Sequence, residues 1–240
     1  MSRIANEIEH GRKLRSEGAE SIWNWASAAG KKRADRRSGY FVELADVKHG
    51  DRVLEVGCGT GLFTRKFYQV TRASITAIDI SQELLDEAKT HLQEANFKCD
   101  DAMKLSFANN SFDVVFGSSI LHHLDFRPAV KEIYRVMRDG GRMIFAEPNM
   151  LNPQIFIQKN VAFIKRHLGD SPDETAIVRW RFEKMMREIG FRVIRTFPYD
   201  FLHPSTPESL IPFVECLGVA IEKVPVVREI AGSVILYGEK

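Results

Sequence analysis

The chain has 240 residues, of which 44% are hydrophobic, so it is long enough to bury a sizeable core. Its 34 basic and 32 acidic side chains give a net charge of +2, too small to indicate a nucleic-acid partner. No apolar run approaches the length of a membrane-spanning helix, and the 3 cysteines lack the spacing of a disulfide framework or a zinc cluster. We therefore expect a cytoplasmic protein without a nucleic-acid partner or stable membrane insertion.

Residues 1–50 show apolar positions at helical spacing and no strand-like alternation, so we expect helices that cover a core. From Arg52 onward, short β-branched runs alternate with amphipathic stretches, a pattern typical of a parallel sheet with covering helices. The strand-like runs are RVLEV, SITAIDI, NFKCDDA, FDVVFGSS and RMIFAEP.

The order of elements changes after residue 148. Two helical patterns, at residues 155–168 and 174–190, precede a strand, an apolar segment over residues 207–230 and a last strand, SVILYGE. We find no repeat or linker, and we expect one domain over residues 1–240. It would consist of an N-terminal helical cover (1–50), a ligand-binding core (51–149) and a C-terminal part (150–240) with substrate-side helices and the last two strands.

The stretch LEVGCGTGLFT, residues 54–64, joins the first predicted strand to a helix through Gly57, Gly59 and Gly61. Glycine has no Cβ, so the backbone of such a turn can approach a ligand closely at the carboxyl edge of the sheet. The spacing departs from the G-x-G-x-x-G pattern of nicotinamide-cofactor loops, because Leu62 stands where the last glycine belongs.

Carboxylates follow the next two strands. Asp79 ends the second strand, where it can accept hydrogen bonds from both hydroxyls of a ribose, and Asp100 and Asp101 end the third, where a carboxylate can accept from an exocyclic amine. A backbone cradle, a diol acceptor and an amine acceptor on successive strand tips indicate an adenosine with a compact polar tail.

Four stretches in this order, over residues 51–149, resemble the class I S-adenosylmethionine-dependent methyltransferases, in particular the small-molecule type 11 subgroup. They are VLEVGCGTG, ITAIDIS, CDDAMKLSFANNSFDVVFGSSILHHL and EIYRVMRDGGRMIFAEPN. The resemblance implies an α/β fold with a Rossmann-like, seven-stranded, mostly parallel sheet whose last strand, SVILYGE, is antiparallel. Helices would cover both faces, and the N-terminal and C-terminal segments would form helical cap insertions.

The resemblance also implies S-adenosylmethionine as cofactor and S-adenosylhomocysteine as product. The three loop glycines would line the methionine end, Asp79 the ribose, Asp101 and the Ala102 amide the adenine, and Ser118 and Ser119 the sulfonium region. The predicted cofactor site comprises Glu55, Gly57, Cys58, Gly59, Gly61, Asp79, Ile80, Asp101, Ala102, Ser118 and Ser119.

Methyl transfer from a sulfonium is an in-line displacement, and a base is needed only if the acceptor loses a proton. The candidates are His122 and His123, which follow the fourth strand, and Glu147 at the tip of the fifth. In the alternative interpretation a histidine packs against the cofactor and Glu147 caps a helix. We expect no metal, since only Asp125 stands near the relevant strand tip. The methylated atom, O, N or C, stays open.

The run KKRADRR, residues 31–37, predicts either a solvated helical face or a site where Arg33, Arg36 or Arg37 binds an anionic acceptor. The apolar segment over residues 207–230 predicts either a cap over an apolar acceptor or the layer between the last two strands, and its glutamates disfavour a contact with an anionic membrane surface. Trp23 and Trp25 would form part of an N-terminal lid or pack in the core. The sequence does not indicate an oligomeric state.

The leading hypothesis is therefore methyl transfer to a small-molecule acceptor. A nicotinamide-dependent oxidoreductase is one alternative, disfavoured by Leu62 and Asp101. A catalytically silent S-adenosylmethionine-binding accessory protein is the other.

Overall fold

The computed structural model describes residues 9, 11–12, 14–16, 18–167 and 174–240. The strands are β1 (Arg52–Val56), β2 (Ser74–Asp79), β3 (Asn96–Cys99), β4 (Phe112–Ser118), β5 (Met137–Pro148), β6 (Val193–Tyr199) and β7 (Ser233–Glu239). The helices include α1 (Ala19–Ile22), α2 (Ala28–Ala45), α3 (Leu62–Thr71), α4 (Gln82–His91), α5 (Phe126–Val136), α6 (Pro153–Asn160), α7 (Ala162–His167), α8 (Arg179–Ile189) and α9 (Ile211–Ile221). Short 3₁₀ turns span Leu121–His123, Glu208–Leu210 and Val227–Ile230.

The strands form one seven-stranded sheet in the order β3-β2-β1-β4-β5-β7-β6. The pairs within β1 to β5 are parallel, whereas β7 runs antiparallel to both β5 and β6. This confirms the expected Rossmann-like sheet with an antiparallel last strand. The strand order reverses between β1 and β4, and ligands of open α/β sheets bind at the carboxyl edge beside such a point.

The central strands are buried on both faces, because helices cover the sheet on each side. Successive residues of β1 point to opposite faces, so Val53 joins one core layer and Leu54 the other. On the first face Phe67 of α3 stacks on Phe116 of β4, with ring centroids 4.5 Å apart. On the second face Met186 of α8 packs into the other layer.

Two predicted helices are shorter than their apolar periodicity suggests. The helix expected over residues 174–190 begins only at Arg179, and residues 174–176 have no regular structure. Ile177 instead forms a parallel bridge with Asn149, and its N–H donates to the carbonyl of Pro148. The helix expected over residues 155–168 is divided between α6 and α7. The tertiary hydrogen bonds of Ile177 outweigh the helical preference of residues 174–178, and they hold residue 174 beside the end of β5.

A helix that spans a bilayer needs about 20 consecutive, predominantly apolar residues. None of the described helices combines the length and the apolar character needed to span a membrane.

Candidate functional site

A cavity of about 780 Å³ opens at the carboxyl edge of the sheet. Its walls come from the loops after β1, β2, β3 and β4, from the N-terminal segment and from the region between β5 and α9. Among the predicted site residues, those that line it are Gly57, Cys58, Gly59, Asp79, Ile80, Asp101, Ala102, Ser118, Ser119, His122 and His123. The fold therefore brings most of the predicted set together.

The loop after β1 has a backbone that side chains would not tolerate. Gly57 and Gly59 have φ values of +70° and +51°, in the left-handed region that favours glycine. A Cβ on Gly57 would lie 2.4 Å from the side chain of Ile120, and one on Gly59 would lie 2.8 Å from the ring of Trp23. The loop is anchored to β2, because the N–H groups of Gly57 and Cys58 donate to the carbonyl of Ile78.

Asp79 lies half-buried at the tip of β2, beside this loop. Its Oδ2 accepts the N–H of Gly59 and its Oδ1 accepts the N–H of Ser81, each at 2.9 Å. Burial raises the pKa of Asp79, while the backbone donors oppose that rise. Each oxygen of the ionised carboxylate has a further lone pair, so Asp79 can accept two more hydrogen bonds from a ligand.

The two aspartates after β3 have different surroundings. Asp100 accepts hydrogen bonds from the hydroxyl and the N–H of Ser106, at 2.5 and 3.2 Å, on its Oδ2. Asp101 accepts the N–H of Met103 at 2.9 Å on its Oδ1 and lines the cavity beside the buried Ala102. Asp101 is therefore better placed than Asp100 to receive a ligand amine.

Two residues of the predicted cofactor site do not line the cavity. Glu55 is 1% exposed and lies beneath the loop, where the Thr64 hydroxyl donates to its Oε2 at 2.5 Å. Burial raises the pKa of Glu55 to about 8. Gly61 begins α3 with a φ of +77°, and a Cβ there would meet the Cβ of Ala88 at 3.1 Å. The geometry gives both residues a role in building the loop, and neither is placed to contact a ligand in the cavity.

His122 and Glu147 form a buried pair between the tips of β4 and β5. The Oε1 of Glu147 accepts the N–H groups of Ile120 and Leu121 at 3.0 and 2.9 Å. Its Oε2 lies 2.8 Å from Nδ1 of His122. Because a carboxylate only accepts, we assign the imidazole proton to Nδ1, which leaves the lone pair of Nε2 available.

The charge state of this pair follows from its surroundings. Burial lowers the pKa of His122, and so does the neighbouring His123, against the opposing effect of Glu147. Burial opposes ionisation of Glu147, yet the hydrogen bonds from His122 and the backbone lower its pKa below the ordinary value. A neutral imidazole therefore faces an ionised carboxylate. Glu147 is fully buried and does not line the cavity, so it is placed to orient His122 and not to act as the base itself.

Glu174 and Lys159 line the same part of the cavity, and no local sequence pattern indicates either of them. Lys159 Nζ donates to Glu174 Oε2 at 2.6 Å, and both side chains are 6% exposed. Glu174 Oε2 lies 3.9 Å from Nε2 of His122, and its Oε1 lies 3.7 Å from Nδ1 of His123. Only the tertiary path of residues 174–177 brings this carboxylate to the histidines.

Arg37 is buried at the cavity wall, with 3% of its surface exposed. Within the part of the chain that the structure describes, its guanidinium donates to hydroxyl groups alone, at 2.8 to 3.0 Å, namely those of Ser118, Ser119, Tyr199 and Ser233. The ring of Trp25 lies 4.9 Å from its central carbon. No carboxylate among the described residues forms an ion pair with it, so an uncompensated positive charge faces the cavity.

The other arginines of the basic run have structural partners. Arg33 forms an ion pair with Asp200 at 2.7 Å, and Arg36 forms one with Glu222 at 2.5 Å. The interpretation of a solvated helical face is therefore wrong for these arginines, and of the three only Arg37 has no ion-pair partner among the described residues. Helical periodicity in the run could not distinguish them, because the ion-pair partners of Arg33 and Arg36 lie 167 and 186 residues away and the nearest hydroxyl partner of Arg37 lies 81 residues away.

Comparison with known proteins identifies the family to which this chain is similar. A family model described as a methyltransferase domain matches residues 54–145. The O-methyltransferase rstn1 of Aspergillus nomiae is 30% identical over 162 residues, which cover 63% of this chain and 68% of that protein. The 27-O-demethylrifamycin SV methyltransferase of Amycolatopsis mediterranei is 29% identical over 132 residues, covering 52% of this chain and 48% of that protein. Other curated relatives are likewise matched over less than two thirds of their length.

The fold has close neighbours among solved structures. The cyclase SpnF superposes with a TM-score of 0.68 and 20% identity, over 96% of this chain and 95% of that one. At this identity the likeness concerns the fold alone. The comparisons give no support to a nicotinamide-dependent oxidoreductase or to a silent accessory protein. The matched domain, the identity to a named O-methyltransferase and the sheet order show that the chain belongs to the class I S-adenosylmethionine-dependent methyltransferases.

Proposed function

We propose that the protein transfers a methyl group from S-adenosylmethionine to a small-molecule acceptor and releases S-adenosylhomocysteine. The observation that carries this proposal is that one cavity is lined both by a predicted cofactor wall and by His122, whose Nδ1 is held by the buried Glu147. Its volume of about 780 Å³ lies within the ordinary range for small-molecule sites, roughly 300–1,000 Å³.

In this proposal each part of the cofactor has its own wall. The backbone of Gly57 and Gly59 lies against the methionine portion, Asp79 accepts the ribose hydroxyl protons, and Asp101 accepts the adenine amine. Arg37 supplies the charge for the methionine carboxylate, because it lies beside both the β4 tip and the first turn of α3. Its central carbon is 5.9 Å from the ring of Phe63 in that turn. Four of the five N–H donors of Arg37 are engaged by hydroxyls of the described residues, so one N–H remains for the carboxylate, and an arginine retains its charge when buried.

The base in this proposal is His122. Glu147 holds its Nδ1–H, so the lone pair of Nε2 can take a proton from an acceptor group as the methyl arrives. Glu147 is a positioning residue, since it touches the imidazole and does not line the cavity. His123 lines the cavity too and remains the competing candidate.

The acceptor is expected to be small because the cavity is bounded on several sides. Beyond the β4 tip its wall combines apolar side chains with polar groups of α6, including Ile155, Phe201 and Gln158. We infer an acceptor with an apolar body and one reactive polar atom that reaches His122. Nucleic acid is disfavoured by the net charge of +2.

We also infer a cytoplasmic location. All 3 cysteines are free, and Cys99 and Cys216 are exposed, which suits a reducing compartment.

Calorimetric titration with S-adenosylmethionine, S-adenosylhomocysteine and the nicotinamide cofactors tests the proposed cofactor. We expect binding of the first two only, and Asp79→Ala should weaken that binding by about 1.5–3 kcal/mol, because the ribose hydroxyls lose a charged acceptor. Asp86→Ala, on the exposed surface of α4, is the matched control. Unchanged affinity in Asp79→Ala would overturn the assigned ribose site.

A screen of candidate metabolites with methyl-labelled S-adenosylmethionine would identify the acceptor. Label must appear in a small-molecule product, with one S-adenosylhomocysteine formed for each methyl transferred. Tight cofactor binding together with no transfer across acceptor classes would favour the silent accessory protein instead.

A further inference from the structure

Three potential metal ligands meet on one side of the cavity. His122, His123 and Glu174 each offer one ligand atom, and these atoms all lie within 4.8 Å of one another. The carboxylate of Glu174 is 3.9 Å from Nε2 of His122 and 3.7 Å from Nδ1 of His123. His122 and Glu174 are buried, and His123 is 18% exposed in its side chain.

These separations are close to those that a metal ion imposes. Zinc binds imidazole nitrogen and carboxylate oxygen at about 2.0–2.2 Å in a tetrahedral arrangement, which puts ligand atoms about 3.3 Å apart. Glu174 lies 3.9 Å from His122 through its Oε2 and 3.7 Å from His123 through its Oε1, and one ligand atom from each of the three residues lies within 4.8 Å of the others. Side-chain rotations that draw these atoms together by about 0.5–1.5 Å would bring all three onto one ion.

Two of the ligands are already oriented by neighbouring groups. Glu147 accepts the Nδ1–H of His122 at 2.8 Å, which directs the Nε2 lone pair away from β5. Lys159 holds Oε2 of Glu174 at 2.6 Å, and Lys165 donates to the carbonyl of Glu174 at 2.7 Å. A carboxylate on the far nitrogen of a ligating histidine is the usual outer support of a metal site.

The donor atoms of the cluster suit a cation. The carboxylates of Glu147 and Glu174 lie within 3.9 Å of the ring nitrogens of His122, and the ammoniums of Lys159 and Lys165 hold Glu174 in place. Asp79 interacts electrostatically with His123 from the cofactor side. Two imidazoles and one carboxylate are a donor set that binds first-row divalent ions, with zinc among the strongest.

We propose that His122, His123 and Glu174 form a binding site for Zn²⁺ whose fourth position faces the cavity, and that zinc inhibits the enzyme. Zinc bonded to Nε2 of His122 occupies the lone pair that would take the acceptor's proton. The inhibition rests on the proposed function, whereas zinc binding does not. The site departs from the absence of metal that the sequence predicts, because Glu174 is not near the histidines in sequence.

Cobalt substitution tests the site without an activity assay. Co²⁺ added to metal-stripped protein should give visible d–d bands that saturate at one equivalent, and Zn²⁺ should displace them. His123→Asn and Glu174→Gln should each weaken Co²⁺ and Zn²⁺ binding at least about 100-fold, and Glu147→Gln about 10–100-fold, because it removes an outer support. His91→Ala is the control, since His91 and Glu87 form an exposed pair at 3.9 Å that is a typical adventitious site.

Each variant is checked by its melting curve and its affinity for S-adenosylhomocysteine, so that misfolding is distinguished from ligand loss. Unaltered metal affinity in folded His123→Asn and Glu174→Gln would overturn the site. So would the absence of d–d bands in the wild-type protein.

The inhibition is tested with an acceptor from the labelled screen. One equivalent of Zn²⁺ should lower wild-type turnover at least about tenfold, and a chelator should restore it. In Glu174→Gln the same zinc concentration should leave the turnover of that variant unchanged. Zinc that binds at this site and leaves or raises wild-type turnover would overturn the inhibition. Failure of the methyltransferase proposal would appear separately, as no transfer in chelator-treated protein.

Discussion

The two halves of the cavity are built differently. Along β1, β2 and β3 the groups that line the cavity follow their strands directly, as with Gly57 after β1 and Asp79 at the tip of β2. Along β4, β5 and β6 the wall is assembled by long-range contacts. Arg37 of α2 meets Tyr199, 162 residues later, and Glu174 reaches His122 across a gap of 52 positions in the chain.

The difference separates two kinds of function. The cofactor half needs a backbone conformation and carboxylates at fixed strand tips, and short motifs encode both. The acceptor half needs a wall whose charge and shape match the acceptor, and both depend on which helices and loops cover the edge of the sheet. Relatives that act on different acceptors can therefore share the first half closely while differing in the second.

The variant His122→Ala tests most directly whether the two halves of the cavity have separate functions. If His122 is the base, kcat should fall roughly 10²–10⁴-fold with cofactor affinity nearly unchanged, because a base acts on the transition state. Turnover of the acceptor from the labelled screen and calorimetry of S-adenosylhomocysteine measure the two quantities. His91→Ala, which is exposed, should change neither. An equal or larger loss in His123→Ala would move the base to His123.

Glu55 beneath the glycine loop should make the cofactor half depend on pH for its stability. Its folded pKa, raised to about 8 by burial, exceeds the ordinary value of 4.5. The stability it contributes is full below pH 4.5 and is lost as pH rises through 8. When the pH rises from 5.5 to 8.5, the free energy of unfolding of the wild type should therefore fall by roughly 3 kcal/mol more than that of Glu55→Gln.

Urea unfolding at several pH values measures this difference. Glu94→Gln, an exposed carboxyl, should keep the wild-type pH dependence. A Glu55→Gln curve parallel to the wild-type curve would mean that Glu55 is ionised in the folded protein.

Arg37 joins the two halves, and Arg37→Met should weaken S-adenosylmethionine binding by about 1.5–3 kcal/mol, because the carboxylate loses a charged donor. Decarboxylated S-adenosylmethionine provides the discriminating comparison. Wild type should prefer the carboxylated cofactor, and Arg37→Met should bind the two with nearly equal affinity. A preference that persists in the variant would assign Arg37 to the acceptor. Arg33→Met, whose partner is Asp200, is the control.

The smallest expected effect concerns Trp23, which lies against Gly59 at the edge of the cofactor half. Trp23→Leu should weaken cofactor binding by about 0.5–1.5 kcal/mol, because the ring no longer covers the bound ligand and loses its stacking geometry. Calorimetry with S-adenosylhomocysteine measures the loss, and Trp180→Leu on the exposed surface of α8 is the control. Unchanged affinity in Trp23→Leu would mean that the cofactor is bound by the residues at the strand tips and not by Trp23.

The sheet, the glycine loop and the carboxylates after β2 and β3 could all be predicted from short stretches of the sequence. Strand alternation, helical periodicity and the steric demand of left-handed backbone at Gly57 and Gly59 are local properties, so they can be read in short windows. Local reasoning failed where distant groups compete. It extended a helix over residues 174–178, where hydrogen bonds to the end of β5 hold an extended segment instead.

Tertiary structure alone decided the roles of charged side chains. Glu55 accepts a hydrogen bond from Thr64, and Glu147 accepts one from His122. Arg37 donates to hydroxyl groups, whereas Arg33, one turn earlier on the same helix, pairs with Asp200. An ionisable group acts according to its burial and its partners, and both are set by segments remote in the chain. The positions of these residues were therefore visible in the sequence, and their chemistry was not.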